Sequence, residues 1–162
     1  MTTAPALPAM TLAIGCYNSM FTGCSSLTSA PTLPATILAK ECYGSMFHGC
    51  WSLTTAPALP ATTLAYSCYS HMFNNCTSLM TAPELPAMTL TDYCYNFMFR
   101  NCSKLASMNV SFTAWSPTNA TTNWMNDAGT EATDEKTFTC PSILPKTTGT
   151  SNIPSGWTII EK

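Results

Sequence analysis

Charged side chains are scarce in this chain of 162 residues, because Asp, Glu, Lys and Arg together make up only 9% of it. A typical soluble domain carries about 25%. Six basic residues stand against eight acidic ones, which gives a net charge of −2, and residues 1–39 carry no charge at all. This shortage excludes a basic nucleic-acid surface, a polybasic membrane patch and a charge-rich disordered tail.

Several other signals are missing as well. There is no apolar run of about 18 residues, so no membrane-spanning segment is predicted, and no basic stretch followed by an apolar one, so no signal peptide is predicted. The motifs C-x-x-C, G-x-S-x-G and H-E-x-x-H are absent, which disfavours common zinc and hydrolase sites. We therefore expect a chain that is not an enzyme, with no catalytic residue, no bound metal and no cofactor.

What the sequence does contain is an internal repeat with a period of 26 residues. A period between 20 and 50 residues is typical of proteins built from stacked units. Eight of the nine cysteines occupy two slots of this repeat, and proline, tyrosine and Met-Phe slots follow the same step. The two cysteine slots hold Cys16, Cys42, Cys68, Cys94 and Cys24, Cys50, Cys76, Cys102.

The first part of each unit predicts a short strand. Residues 27–33 combine small and β-branched side chains with Pro31, which disfavours a helix before it. Leu27, Ala30 and Leu33 are expected to point into the core. Slots that barely change between units are predicted to be core, and slots that vary freely are predicted to face solvent.

The second part of each unit predicts a helix. Leu38, Cys42, Tyr43, Met46 and Phe47 recur at a spacing that places them on one helical face. Thr36 and Thr62 are candidate N-caps. A left-handed residue that ends the helix is expected at a slot that alternates between glycine and asparagine, namely Gly23, Gly49, Asn75 and Asn101.

The predicted fold class is therefore an α/β solenoid of the leucine-rich-repeat kind, with one short strand and one short helix per unit and a parallel sheet on one face. Residues 1–112 are predicted to form the solenoid and residues 113–162 a C-terminal cap. Thr137–Thr139 and Trp157–Ile160 read as short strands in this cap, and residues 121–128 as a short helix. Trp115, Trp124, Phe138 and Trp157 are suitable to cover the last unit, since an open end exposes core.

The cysteines are predicted to be packed thiols rather than disulfides or metal ligands. The two cysteines of a unit would lie about 12 Å apart along a continuous helix, too far for a disulfide. We expect the eight repeat cysteines to be buried and reduced, while Cys140 has no explanation from the repeat. His48 and His71 lack partners that would make a metal site or a nucleophile, and the carboxylates Asp127, Glu131, Asp134 and Glu135 read as a solvated loop.

The pattern C-Y-x-x-M-F-x-G-C-x-S-L-T-x-A-P-x-L-P-A-T-T-L-A resembles the BspA-like leucine-rich repeats of Bacteroides-type bacteria, in their longer variant rich in Cys and Met. The resemblance covers residues 1 to about 112. It implies an α/β solenoid, a secreted or cell-surface location, and a role in adhesion and protein binding. It implies no catalytic residue. Met1 falls in the slot of Leu27, so the chain is expected to be part of a longer one.

Two classes of function remain open. The first is a binding module, whose protein or glycan ligand on a host or neighbouring cell contacts the exposed side chains of the repeat sheet. The second is a passive spacer or stalk of a larger surface or phage-tail protein. The candidate ligand-binding residues are Thr3, Ala6, Ser29, Thr32, Thr55, Ala58, Thr81 and Glu84. An uncharged, hydroxyl-bearing row suits contact by hydrogen bonds rather than electrostatic steering.

Overall fold

The computed structural model describes residues 2–162 and, over that range, contains three short β-strands and no helix. β1 spans Ser107–Asn109, β2 spans Thr137–Cys140 and β3 spans Thr158–Glu161. They form one parallel sheet in the order β1-β2-β3. β2 and β3 confirm the two strands predicted in the C-terminal segment, although β3 begins one residue later than expected. Met1, which the sequence aligns with Leu27, lies outside the described residues.

The repeat units lie one above another as layers. We define layer 1 as residues 2–26, layer 2 as 27–52, layer 3 as 53–78 and layer 4 as 79–104. Parallel bridges connect equivalent residues of neighbouring layers and continue through β1 to β2 and β3. This first ladder runs through Thr3, Ser29, Thr55, Thr81, Ser107, Thr137 and Thr158.

A second, shorter ladder runs along another side of the layers and joins Thr11, Ile37 and Thr63. Between the two ladders each layer turns a corner at its proline-rich stretch, such as Pro31 to Pro34. Leu27 and Leu33 point into the interior, as predicted, whereas Ala30 is only half-buried. The extended part of each unit is therefore two brief contact points rather than one regular strand.

The predicted α/β solenoid with one helix per unit is wrong, because the segment predicted as helix forms consecutive turns instead. In layer 1 the amide of Cys16 donates to the carbonyl of Ala13, and that of Met20 to Tyr17, three residues back. Alternate amides donate to the next layer, Tyr17 to the carbonyl of Cys42 at 3.0 Å and Ser19 to that of Gly44 at 2.8 Å. Beyond its first turn, an α-helix would instead bond each amide within its own segment.

The backbone angles explain why no helix can form here. In the turn segment of each layer, every fourth residue has a positive φ. In layer 1 these residues are Gly15, Ser19 and Gly23, with φ values of 62°, 58° and 72°. L-residues in this left-handed region interrupt a right-handed helix, but a type II turn requires positive φ at its third position. Thr36 and Thr62 consequently cap no helix, and residues 121–128 also form turns rather than the predicted short helix.

The Gly/Asn slot does adopt the left-handed conformation that the sequence predicts, with φ values of 72°, 70°, 63° and 59° at Gly23, Gly49, Asn75 and Asn101. It marks the last of the left-handed turn residues in each layer, not the end of a helix. The helical spacing was misleading because a chain that turns every four residues also brings residues four and eight positions apart onto one side. Apolar periodicity alone does not distinguish the two arrangements.

The core consists of columns of identical side chains stacked between layers. Phe47, Phe73 and Phe99 are fully buried, and their ring centroids are 5.6 and 5.5 Å apart. A parallel column of tyrosines includes Tyr43 and Tyr69, whose centroids are 5.9 Å apart. Offset stacking at such distances contributes about 0.5–1.5 kcal/mol per pair beyond burial.

Aromatic residues of the C-terminal segment pack against one another and, through Trp124, against the last layer. Trp124 and Phe138 are fully buried and Trp157 is nearly so, while Trp115 is half-buried. The Trp124 ring lies 6.4 Å from Tyr95 and thus extends the tyrosine column. The Lys146 ammonium donates to the carbonyls of Pro141, Ser142 and Leu144, which holds the turn after β2. Trp124 therefore packs directly on the last layer, and Trp115 and Phe138 pack against Trp124; that residues 113–162 act as a cap stays a prediction.

Candidate functional site

The predicted ligand-binding residues form two exposed columns on one side of the layers, which we call the strand face. All eight are exposed: Thr3, Ala6, Ser29, Thr32, Thr55, Ala58, Thr81 and Glu84. The first column is the ladder of Thr3, Ser29, Thr55 and Thr81, so its side chains repeat at the spacing of parallel strands, about 4.8 Å. Thr32, Ala58 and Glu84 belong to the second column, beside the proline corner.

Two shallow apolar grooves run beside the second column. One, of about 230 Å³, is lined by Pro31, Thr32, Pro34, Pro57 and Ala58, with Ala30, Leu33 and Pro60. The other, of about 240 Å³, lies between Ala58 and Glu84 and is lined mainly by Pro60 and Pro86. Because each layer contributes the same Ala-Pro-x-Leu-Pro corner, the two grooves repeat along the face.

Charge on the strand face is confined to its C-terminal end. The Glu84 carboxylate lies 3.8 Å from the Lys162 ammonium, which also donates to the Asn109 side-chain oxygen at 2.7 Å. This exposed pair contributes little to stability, but it leaves the remaining seven residues of the face uncharged. The face can therefore offer apolar contact and hydrogen bonds along most of its length.

The repeat cysteines are packed in the core from layer 2 onward. Cys42, Cys68 and Cys94, together with Cys50, Cys76 and Cys102, are fully buried, as predicted. Cys16 is exposed and Cys24 half-buried, contrary to expectation. Within residues 2–162, layer 1 has a neighbouring layer on one side only, so its cysteines are less well covered than those of the inner layers. The structure records all nine cysteines as free thiols.

The second cysteine slot has a specific hydrogen bond that the sequence pattern did not reveal. The thiol of Cys50 donates to the carbonyl of Phe21 in the previous layer at 3.2 Å, and Cys76 and Cys102 repeat this contact with Phe47 and Phe73 at 3.1 Å. Burial raises the pKa of Cys50 to about 11 and that of Cys102 to about 12. Such thiols stay protonated at neutral pH, and protonated thiols are poor nucleophiles.

We expect thiol labelling to separate layer 1 from the interior. In the folded protein at pH 8, iodoacetamide should modify Cys16 quickly and Cys24 more slowly, and should leave the six buried repeat cysteines unmodified. Peptide mass mapping before and after denaturation in urea without reductant would measure this. All nine cysteines should react in urea; failure of the repeat cysteines to react there would show that they form disulfides.

Both histidines lie on the turn side of the layers and take part in interlayer contacts. His48 Nε2 is 3.3 Å from the side-chain nitrogen of Asn75. The side-chain oxygen of Asn75 in turn accepts a hydrogen bond from the side-chain nitrogen of Asn101 at 2.7 Å. His71 stacks on Phe97, with centroids 4.8 Å apart. Burial, with a smaller effect of the neighbouring His48 and Arg100, lowers the pKa of His71. These contacts give both histidines a structural role.

Other groups with the potential for chemistry are dispersed. Asp127, Glu131, Asp134 and Glu135 are exposed, and residues 2–162 contain no cluster of three or more His, Cys, Asp or Glu placed to hold a metal ion.

Asn74 occupies a slot that varies between repeats, yet it is only 5% exposed and its side-chain oxygen has no partner. Variation between repeats therefore misassigned this position to the surface.

A pocket in the C-terminal segment was missed by sequence reasoning. It has a volume of about 350 Å³ and is bordered by Trp115, Thr121, Thr147, Ser151 and Asn152, among others. The segment shows no repeat from which exposed and buried positions could be compared, and its lining residues are up to 37 positions apart in sequence (115 to 152). The sequence analysis assigned Trp115 only to covering the last unit, so it gave no signal for this pocket.

Comparison of the chain with known protein families, with curated proteins and with solved structures finds no match. The resemblance to BspA-like repeats therefore remains a prediction from the motif alone. Within residues 2–162 no helix is long and apolar enough to cross a membrane.

Proposed function

We propose that this chain is a non-catalytic protein-binding module of a bacterial surface or secreted protein, and that its partner docks on the strand face. The observation that carries the proposal is the placement of the two apolar grooves directly beside the exposed column of Thr32, Ala58 and Glu84. Concave apolar surface with a few polar groups at its edge is the usual form of a recognition site. The surface or secreted location depends on the resemblance to BspA-like repeats.

The chemistry of the face favours an extended polypeptide with apolar side chains. Proline rings line the grooves and offer no hydrogen-bond donors, so they select for apolar groups. The hydroxyls of Thr3, Thr55 and Thr81 stand on the neighbouring ladder and can bond to the backbone of such a segment. Because most of the face is uncharged, we expect the affinity to depend only weakly on salt.

The decisive experiment places lysines in the grooves. A screen of the chain against host matrix proteins and glycans would identify a binding protein. The double variant Thr32→Lys with Ala58→Lys should then reduce affinity at least about tenfold, because each lysine fills a groove with a charged side chain. Surface plasmon resonance would measure the change.

The matched control is Thr36→Lys with Thr62→Lys, which adds the same charge at exposed positions outside the grooves. This control should bind as the wild type does. Equal loss in both variants would show that charge alone, not the strand face, weakens binding. Absence of any protein partner in the screen would favour the alternative of a passive spacer, for which the continuous ladder from Thr3 to Thr158 is well suited.

A further inference from the structure

The pocket in the C-terminal segment is separate from the strand face and shares no lining residue with its grooves. Its volume of about 350 Å³ lies at the lower end of the range for small-molecule sites. It is bordered on one side by the turns around Trp115, Thr118 and Thr121, and on the other by Pro145, Thr147, Ser151 and Asn152. A space of this size accommodates a single ring-sized ligand.

Trp115 gives the pocket a fixed aromatic wall. Its indole N–H donates to the carbonyl of Pro145 at 2.8 Å, and its ring packs at 5.1 Å from Phe112 and 6.0 Å from Trp124 in edge-on geometry. Because Phe112 and Trp124 are fully buried, they lie on the interior side of Trp115. The remaining part of the half-buried indole lines the pocket, so an apolar ring surface is held in place before any ligand arrives.

Free hydrogen-bonding groups surround this aromatic wall. The hydroxyls of Thr118 and Thr147 and the side-chain amide of Asn152 line the pocket, and none of them bonds to another group within residues 2–162. The Ser151 hydroxyl accepts from the amide of Asn123 at 3.0 Å, which leaves its own hydrogen available. Donors and acceptors are thus present together and unpaired.

The pocket lacks charge. None of its lining residues is ionisable, and the ammonium of Lys146, although adjacent in sequence to Pro145 and Thr147, is occupied by three carbonyls and by Glu161 at 3.2 Å. A phosphate, a carboxylate or an amine would lose its hydration here without gaining a counter-charge. The suitable ligand is therefore neutral, with one apolar face and hydroxyls around its edge.

We propose that this pocket binds a neutral hexose ring of a glycan, with its C–H face on Trp115 and its hydroxyls bonded to Thr118, Thr147 and Asn152. A sugar ring presents this combination of an apolar face and a polar rim, and an aromatic side chain supplies the complementary surface. The affinity for one sugar is low, with a Kd of about 1 mM, since the ligand is small. Several copies on one surface would raise the apparent affinity.

Titration with methyl glycosides tests the proposal. Methyl glycosides of glucose, galactose, mannose and N-acetylglucosamine are added to ¹⁵N-labelled protein, and the indole N–H resonances are followed. At least one glycoside should shift the Trp115 resonance saturably, while that of Trp51, an exposed tryptophan far from the pocket in sequence, should stay in place. The Trp115→Phe variant assigns the resonance by its disappearance.

The double variant Thr118→Val with Thr147→Val removes two hydroxyls that make no internal hydrogen bond, so the fold should be preserved. It should weaken glycoside binding at least about tenfold. Thr62→Val is the matched control and should bind normally, as should the groove variant Thr32→Lys with Ala58→Lys, which affects only the strand face. No saturable shift with any of the four glycosides, or equal binding by the double variant, would overturn the proposal and leave the protein-binding function of the strand face unaffected.

Discussion

Replacing Phe73 with alanine lowers the free energy of unfolding by about 3–5 kcal/mol, the range for deletion of a buried phenylalanine. Phe73 is fully buried in layer 3, between Phe47 and Phe99 at centroid distances of 5.6 and 5.5 Å. The substitution removes both stacking contacts and leaves a cavity in the middle of the column. The neighbouring layers cannot collapse into that cavity, because hydrogen bonds between turns fix their separation, such as that from the amide of Phe73 to the carbonyl of Met98 at 2.9 Å.

Urea unfolding followed by circular dichroism measures this loss, and Phe97→Ala provides the matched control. Phe97 is half-buried on the turn side and contacts His71 and Arg100, so its removal should cost only about 1 kcal/mol. If the two variants lost the same free energy, the phenylalanine column could not be the main source of stability. Phe73→Leu should lie between the wild type and Phe73→Ala, because it refills part of the cavity.

The slots that barely change between repeats allowed most of the core to be predicted from the sequence. Leu27, Cys42, Tyr43, Met46 and Phe47 were assigned to the interior and are buried or fully buried. Equivalent residues in layer 1 are less well covered, and Met20 is 46% exposed where Met46 is fully buried. Burial therefore depends on a neighbouring layer on each side, which a pattern within one unit does not encode.

The backbone path could not be predicted in the same way. The left-handed conformation can be predicted from the residue type at four positions, Gly23, Gly49, Asn75 and Asn101, because glycine and asparagine tolerate it. Glu41, Tyr93 and Phe97 adopt the same conformation, but their residue types do not predict it. L-residues of these types adopt positive φ only at a cost, which at Glu41 and Phe97 is offset by hydrogen bonds from their amides to the next turn segment along the stack. Those bonds connect residues 25 positions apart, such as Tyr17 and Cys42, and thus are not visible to local propensity.

For the candidate sites, the sequence was informative only where the repeat provided a comparison. It placed Thr32, Ala58 and Glu84 in one exposed column, which the structure shows them to occupy. It did not predict the grooves beside them, because groove shape depends on how the proline corners of two layers pack. Nor did it predict the pocket near Trp115, whose lining residues come together only through the irregular fold of residues 113–162.

Gly129→Ala is expected to destabilise the protein by about 3 kcal/mol, because the added methyl group has no space. Gly129 has a φ of 72°, and a Cβ atom there would lie 2.7 Å from the carbonyl oxygen of Leu105 and 3.1 Å from the Trp157 ring. The first of these neighbours is backbone, which cannot rotate away. Strain from the left-handed φ and overpacking each cost about 1–3 kcal/mol.

Gly23→Ala separates the two contributions. Gly23 has the same φ of 72°, but a Cβ atom there would meet nothing within 4 Å, so this variant should lose only the backbone strain, about 1 kcal/mol. Urea unfolding of both variants gives the difference, which isolates the steric clash. Since the clash lies between Leu105, Gly129 and Trp157, it also reports on how tightly the C-terminal segment is joined to the layers. A single transition shifted to lower urea concentration in Gly129→Ala would show that the layers and the C-terminal segment unfold together. Equal stability of the two glycine variants would contradict the packing around Trp157 described above.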